Sequence, residues 1–194
     1  MNFGRAFSFM FEDREALRKI LVGGFFTLLS YLVIGIPFVF GYLLELMKDN
    51  IEGKETPLPE WDQLGEKFVK GLVFLLIVII YIMPAIIVNV IPCLGQLLSF
   101  IYGIALWLAF PYIMGRFALS GKFTEAFQFD EIIEFVKKNI ENLILALVMS
   151  IVISIISAFG IILLMVGVLF TTFWAGLGCT HLYAQVFRAA KEKS

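Results

Sequence analysis

The feature that most constrains this sequence is the absence of charged side chains from long parts of it. Residues 71–115 contain no Asp, Glu, Lys, Arg or His, and residues 142–187 contain only His181 among these types. A helix needs about 20 apolar residues to cross a hydrocarbon core about 30 Å thick. Each stretch is long enough for two crossings, so the sequence predicts a polytopic membrane protein.

The composition agrees with a chain whose main partner is the lipid bilayer. Hydrophobic residues make up 60% of the 194 residues, the mean hydropathy is +0.93, and 16% of the residues are charged. A soluble domain averages about 25% charged residues. The net charge of -1 lacks the basic excess that nucleic-acid binding needs, so we expect no nucleic-acid partner.

Charged amphipathic segments alternate with apolar ones along the chain. We predict a single all-α membrane domain over residues 1–194, with two full transmembrane hairpins at 71–115 and 142–187. Turns are expected at 92–95 and near Gly160, where Pro and Gly interrupt the apolar runs. Around the hairpins we predict an interfacial helix at 3–19, a loop at 48–70 with an amphipathic helix at 59–70, an amphipathic helix at 116–141 and a polar tail at 188–194.

The apolar segment 20–47 has two interpretations. Its length allows one tilted span, but Pro37 makes an unbroken helix doubtful, and the segment could instead re-enter the membrane and turn there. The Lys and Arg residues favour the re-entrant form. All 15 lie in residues 1–19, 48–70, 116–141 and 188–194, and positive charge marks the cytoplasmic side. We therefore expect the loops and the C-terminus to be cytoplasmic.

Small and polar residues inside the apolar segments are candidates for helix contacts or a polar path. Trp61 is predicted to be a membrane-interface anchor. Close helix packing is predicted from two stripes of small residues, Ser150 and Ser154 on one helix and Gly167, Thr171, Ala175 and Cys179 on the next. Asn89, His181 and Gln185 are candidates for a pore or a polar site, although such groups more often form hydrogen bonds between helices.

The sequence offers no pattern typical of an enzyme or of a bound cofactor. No carboxylate lies in 71–115 or 142–187, and neither a Gly-rich phosphate loop nor H-E-x-x-H is present. One His and two distant Cys do not form a metal site. We therefore expect no catalytic residue, no metal and no cofactor.

The segment Leu58-Pro59-Glu60-Trp61-Asp62, followed by Gly71-Leu72, carries a resemblance to a known family. With Gly23-Gly24 and Gly41-Tyr42, it resembles the prokaryotic membrane family catalogued as the domain of unknown function four thousand and thirteen. The resemblance implies an inner-membrane, multi-pass protein of a prokaryote. It implies no catalytic residues.

Two functions remain open at this point. The first is a non-enzymatic, self-associating membrane scaffold or lipid-interacting protein, a homo-oligomer that could bind a protein at its cytoplasmic face. The alternative is a small oligomeric channel or transporter for ions or small solutes, in which Pro37 and Pro84 would break the helices near the middle of the membrane.

Overall fold

A computed structural model describes residues 9–54, 58–158 and 166–191, and within them the fold is all-helical. There are two short 3₁₀ helices, Phe9–Glu12 and Phe123–Phe127. The α-helices are α1 (Ala16–Ser30), α2 (Gly35–Glu52), α3 (Leu64–Val88), α4 (Leu94–Ser120), α5 (Phe129–Ala158) and α6 (Val166–Lys191).

Within the described residues, three helices are long and apolar enough to cross a membrane: α3, α4 and the Phe129–Ser157 part of α5. The first predicted hairpin is therefore present as α3 and α4, joined by residues 89–93. The second predicted hairpin, 142–187, includes residues 159–165, which lie outside the described residues, so its last span stays a prediction. Helix α6 has 26 residues but carries several polar ones, which lower its hydropathy: Thr171, Thr172, Thr180, His181 and Gln185. The predicted turn near Gly160 lies outside the described residues.

The segment 20–47 does not form one continuous helix. α1 ends at Ser30, and α2 begins at Gly35 and packs back against it. Val33, between them, adopts a left-handed φ of 67° that redirects the chain. The 15 residues of α1 extend only about 22 Å, less than a hydrocarbon core. Pro37 lies in the first turn of α2, where its missing N–H costs no helical hydrogen bond.

The predicted surface helices have different boundaries in the structure. Residues 9–12 form a 3₁₀ helix separate from α1, so the described part of 3–19 is not one helix. The expected helix at 59–70 begins only at Leu64 and continues into the span as α3. Helix α3 also continues through Pro84, so the expected break there is absent.

The predicted helix at 116–141 is divided among three elements. α4 runs to Ser120, the second 3₁₀ helix follows, and α5 continues from Phe129 into the span with a kink at Asn139. Of its predicted apolar face, Ile132 and Phe135 are buried, whereas Ile133 and Ile140 are exposed. The kink marks the change from the charged half of the helix to the uncharged half.

Helices α2 and α6 occupy the centre of the packing. α2 contacts α1, α3, α4 and α6, and α6 contacts α1, α2, α4 and α5. α2 crosses α3 at two glycines. A Cβ atom on Gly71 would overlap the carbonyl oxygen of Pro37, and one on Gly41 would overlap the carbonyl oxygen of Lys67. The two backbones are therefore in direct contact, as small residues permit in membranes.

The glycine crossing predicts a large effect from one methyl group. Gly71→Ala should lower the free energy of unfolding by about 2 kcal/mol, because the backbone of α2 must move to admit the Cβ atom. Gly65→Ala is the matched control in the same helix, with nothing within 4 Å of its new atom. It should be neutral or stabilising by up to about 1 kcal/mol. Denaturation in detergent measures both, and equal stabilities would contradict the close crossing.

Candidate functional site

Residues 58–62 are held in place by Lys19, a side chain from the first turn of α1 that is only 4% exposed. Its Nζ atom lies 2.8 Å from Asp13 Oδ2, 2.6 Å from Glu60 Oε1 and 3.0 Å from the carbonyl oxygen of Leu58. A buried ammonium group is tolerated only when its hydrogen bonds are satisfied. Lys19 therefore joins α1 to the chain that precedes α3.

A second buried lysine, Lys67, holds the other end of the same segment. It is 3% exposed and lies in the first turns of α3. Its Nζ atom is 2.7 Å from Glu45 Oε2, 3.1 Å from Asp62 Oδ1 and 3.0 Å from the carbonyl oxygen of Asp62. Because Glu45 belongs to α2, this lysine connects α2, α3 and the 58–62 segment. We call the polar cluster formed by the contacts of Lys19 and Lys67 the 58–62 site.

Trp61 lies between aromatic rings of α1 and α2. Its ring stacks on Tyr42 at 4.3 Å and on Phe26 at 4.8 Å, and its Nε1–H donates to the carbonyl oxygen of Lys19 at 2.9 Å. The Tyr42 hydroxyl donates to the carbonyl oxygen of Pro59 at 2.9 Å. Trp61 thus packs between α1 and α2 with its ring partly exposed, and its role as a membrane-interface anchor stays a prediction.

The paired glycines of α1 bring α6 against this site. A Cβ atom on Gly23 would overlap the ring of Phe173, and one on Gly24 would overlap the ring of Phe170. The Phe173 ring in turn lies 5.5 Å from that of Tyr42. The motifs Gly-Gly, Gly-Tyr and L-P-E-W-D, which are distant in sequence, therefore meet in one place.

The ion pair of Asp13 and Lys19 perturbs both titrations. Burial raises the pKa of Asp13, but the hydrogen bonds from Lys19 and from the Glu15 N–H outweigh it, so the pKa lies below its ordinary value. Burial lowers the pKa of Lys19, but the hydrogen bonds to Asp13 and Glu60 leave it above its ordinary value. Both groups are therefore charged at neutral pH, and the charged pair stabilises the fold.

A charged cleft of about 320 Å³ adjoins Lys67 between α2, the start of α3 and the end of α4. Four lysines line it, and each has a carboxylate within 4 Å. The pairs are Lys48–Glu52, Lys54–Asp49, Lys67–Glu45 and Lys70–Glu66. Its charges are therefore balanced by neighbouring side chains, which suits a structural role better than the binding of a highly charged ligand. Among the described residues, no group of three His, Cys, Asp or Glu could hold a metal ion.

The three residues predicted as a polar path have different surroundings. His181 is buried, and its Nδ1 lies 2.8 Å from Asn50 Oδ1, so it connects α6 to α2. Gln185 is half-buried one turn further along α6. Asn89 is exposed at the C-terminal end of α3. His181 thus contributes to the contact between the two central helices.

The small residues predicted to pack helices lie largely between α5 and α6. The Thr171 hydroxyl donates to the Ser157 carbonyl oxygen at 2.9 Å, and Ala175 and Cys179 pack against Ile153 and Leu182. Ser150 is buried, whereas Ser154 is exposed and donates to the Ser150 carbonyl oxygen within its own helix. The surroundings of Gly167 lie outside the described residues. Both cysteines, Cys93 and Cys179, are free thiols.

Sequence reasoning missed the two buried lysines and their partners Asp13 and Glu45. Lysines are almost never fully buried without a partner, so each was interpreted as a surface charge. The available signal was the acidic group Glu60, Asp62 and Glu66 close to positive residues. The same acidic group could also be a helix start exposed to solvent. The ion pairs with Lys19 and Lys67 therefore could not be assigned without the fold.

These helices and this site define an all-helical, polytopic membrane protein whose polar residues join its helices. The chain belongs to the family described as protein of unknown function (DUF4013), whose model matches residues 24–166. The match includes residues 58–62, Glu45 and Lys67 but not Asp13 or Lys19, and it ends where α6 begins. No curated protein and no solved structure matches the chain.

Removing the buried ammonium group tests the 58–62 site. Lys19→Met should lower the free energy of unfolding by about 3 kcal/mol, because Asp13 is left buried without its partner. Lys70→Met removes an exposed lysine whose pair with Glu66 is 3.3 Å long, and it should cost about 0.5 kcal/mol or less. Chemical denaturation in detergent provides both values.

Comparison of the wild type with Lys19→Met at different pH values provides a control. The pKa of Asp13 is lowered by folding, so its contribution is complete above about pH 5 and is lost as the pH falls through the folded value. The stability difference between wild type and Lys19→Met should therefore shrink in acid. A difference that is independent of pH would contradict the assigned ion pair.

Proposed function

We propose that this protein is a non-enzymatic, self-associating and lipid-interacting scaffold of a prokaryotic inner membrane. The proposal is supported by the contrast between the polar base of the protein and the apolar helices that extend from it. Paired charges and aromatic rings join α1, α2, α3 and α6 at a polar base, and apolar helices extend from that base with their sides exposed.

The exposed apolar surface is largest at the far end of α3 and α4. Between residues 82 and 101 nearly every large apolar side chain is exposed, including Ile87 at 66% and Phe100 at 68%. Soluble monomers rarely present contiguous apolar surface of this extent. In a bilayer such a surface contacts lipid or another copy of the chain, which is the role that the proposal assigns to it.

The arrangement of charge supports a cytoplasmic base with α1 and α2 as a re-entrant hairpin. Lys19 places the start of α1 at the 58–62 site, and Asn50 near the end of α2 contacts His181 and Arg188 of α6. The intervening turn carries four exposed apolar residues, Tyr31, Leu32, Val33 and Ile34. Both ends of the hairpin are thus polar and its tip is apolar, as expected for a segment that enters and leaves by one face.

Gly103 offers a test of self-association that does not disturb the monomer. It lies on α4 beside an apolar groove of about 270 Å³, and a Cβ atom there would meet nothing within 4 Å. Small residues let helices of different copies approach closely in lipid. We expect Gly103→Leu to weaken dimerisation about tenfold while leaving the melting temperature unchanged or higher, as measured by single-molecule photobleaching in vesicles.

Ile101→Leu is the matched control, since it keeps the volume of an exposed apolar side chain on the same helix. Its association should equal that of the wild type. A Gly103→Leu protein that associates as strongly as the control would contradict this interface. Saturable flux of ions or small solutes from vesicles that contain the protein would instead favour the alternative, a channel or transporter.

The proposed orientation can be tested with the natural cysteines. Cys93 is exposed in the turn between α3 and α4, whereas Cys179 is half-buried. A membrane-impermeant maleimide added to intact spheroplasts should label the wild type and not Cys93→Ser. A cysteine at the exposed position of Lys137, introduced into Cys93→Ser, should react only after permeabilisation. The reverse labelling pattern would contradict a cytoplasmic base.

A further inference from the structure

The hairpin formed by α1 and α2 stops well short of the far end of α3. At one contact between α2 and α3, Gly41 lies against the carbonyl oxygen of Lys67. At the other contact, Gly71 lies against the carbonyl oxygen of Pro37. α2 is therefore antiparallel to α3, and its first residue lies only two positions beyond the second contact. α3 continues for the 17 residues from Gly71 to Val88, which is about 25 Å further.

The tip of this hairpin lies where the uncharged part of α3 begins. Lys70 is the last charged residue before the stretch 71–115. The tip, residues 31–34, is joined to α2 at the level of Gly71, so it lies near the boundary of the apolar layer on the side of the polar base. α1 and α2 thus occupy the leaflet next to the base, whereas α3 and α4 continue into the other leaflet.

Helix α1 has an apolar face directed away from the rest of the protein. Lys19, Gly23 and Gly24 form its buried face. On the other side, four large apolar side chains at helical spacing are 48% to 73% exposed: Leu17, Leu21, Phe25 and Leu28. The four tip residues continue this exposed apolar surface. An amphipathic helix of this kind buries its apolar face about 5–10 Å deep in a single leaflet.

The protein is broader at the base than at the far end of α3 and α4. Large apolar side chains between residues 82 and 101 are exposed, so no other helix in the described part of the chain covers that end. At the base, α2 packs against both α3 and α4, and α1 packs against α2. Two helices about 10 Å across add on the order of 150 Å² to the leaflet of the base and nothing to the opposite one.

We propose that the α1–α2 hairpin is a wedge in the leaflet next to the polar base, and that the protein concentrates in membranes curved so that this leaflet is convex. A convex leaflet has more area at the depth of the inserted side chains, so it accommodates the hairpin at lower cost. The partner is thus a curved lipid surface. This inference rests on the membrane placement in the proposed function, with the base at one face, but not on self-association.

The test uses membrane nanotubes about 50 nm across, drawn from giant vesicles, because the protein diffuses freely between tube and vesicle. The full-length Cys179→Ala protein carries a dye on Cys93, which is exposed in the turn between α3 and α4. A membrane-impermeant quencher removes the signal of every molecule whose turn faces outward. The remaining molecules have the base outward, and their density should be about threefold higher in the tube than in the vesicle.

Molecules with the opposite orientation are the internal control. Their wedge lies in the concave leaflet of the tube, so they should be depleted from it, as the signal lost on quenching reports. Equal densities in tube and vesicle for both orientations, or the same enrichment for both, would overturn the wedge. The protein is kept dilute so that copies do not meet. Failure of self-association would therefore leave this result unchanged, and the labelling of Cys93 in spheroplasts tests the cytoplasmic base separately.

A matched pair of double variants assigns the effect to the hairpin. Leu21→Ala with Phe25→Ala removes two exposed side chains from α1. It should lower the enrichment of base-outward molecules by about half, with the melting temperature within about 2 °C of that of the parent. Leu97→Ala with Phe100→Ala removes the same two types of exposed side chain from the far end of α4, and its enrichment should be unchanged or higher. Equal losses in the two double variants would overturn the hairpin as the source of the curvature preference.

Discussion

The fold depends on how a membrane protein satisfies charges that it buries. Two ammonium groups, those of Lys19 and Lys67, are almost fully buried, and each is surrounded by carboxylates and by backbone carbonyl oxygens of the same short segment. Such groups are destabilising unless every hydrogen bond is made. Residues 58–62 therefore need both lysines, and the first three helices are positioned relative to one another by this requirement.

Glycines permit the helix contacts that bring these charges together. Gly41 and Gly71 let α2 and α3 touch through their backbones, and Gly23 and Gly24 admit two phenylalanine rings of α6. The hydrophobic effect contributes little to the association of helices in lipid, so close packing and hydrogen bonds contribute a larger share of the stability. The aromatic stack of Phe26, Trp61 and Tyr42 then fills the space between the polar contacts.

The uncharged stretches predicted the class of protein and the α3–α4 hairpin because membrane thickness imposes a length that can be counted. They did not predict where helices begin, since Leu64 starts a helix that passes without interruption from charged into apolar sequence. Phe129 likewise starts a helix that continues from charged into apolar sequence across the kink at Asn139. Trp61 was singled out from the sequence as an interface anchor, but its surroundings depend on Phe26 and Tyr42, which are distant in the chain. The same applies to His181, whose partner Asn50 lies 131 residues away. Patterns within one helix report which face is apolar, and they carry no information on which helix it meets.

The charged contacts of the polar base continue onto α4 and α5. The charged cleft beside Lys67 extends to the end of α4, and Arg116 lies one turn before that end on the same helix. Arg116 is itself paired, since its Nη2 donates to Glu125 and to Gln128 Oε1 and lies 3.6 Å from Glu131 of α5. Because α5 is kinked at Asn139, its charged half makes this contact with α4 while its other half continues as an apolar helix. Paired charges therefore connect α4 to α5, as they connect α1, α2 and α3 at the 58–62 site.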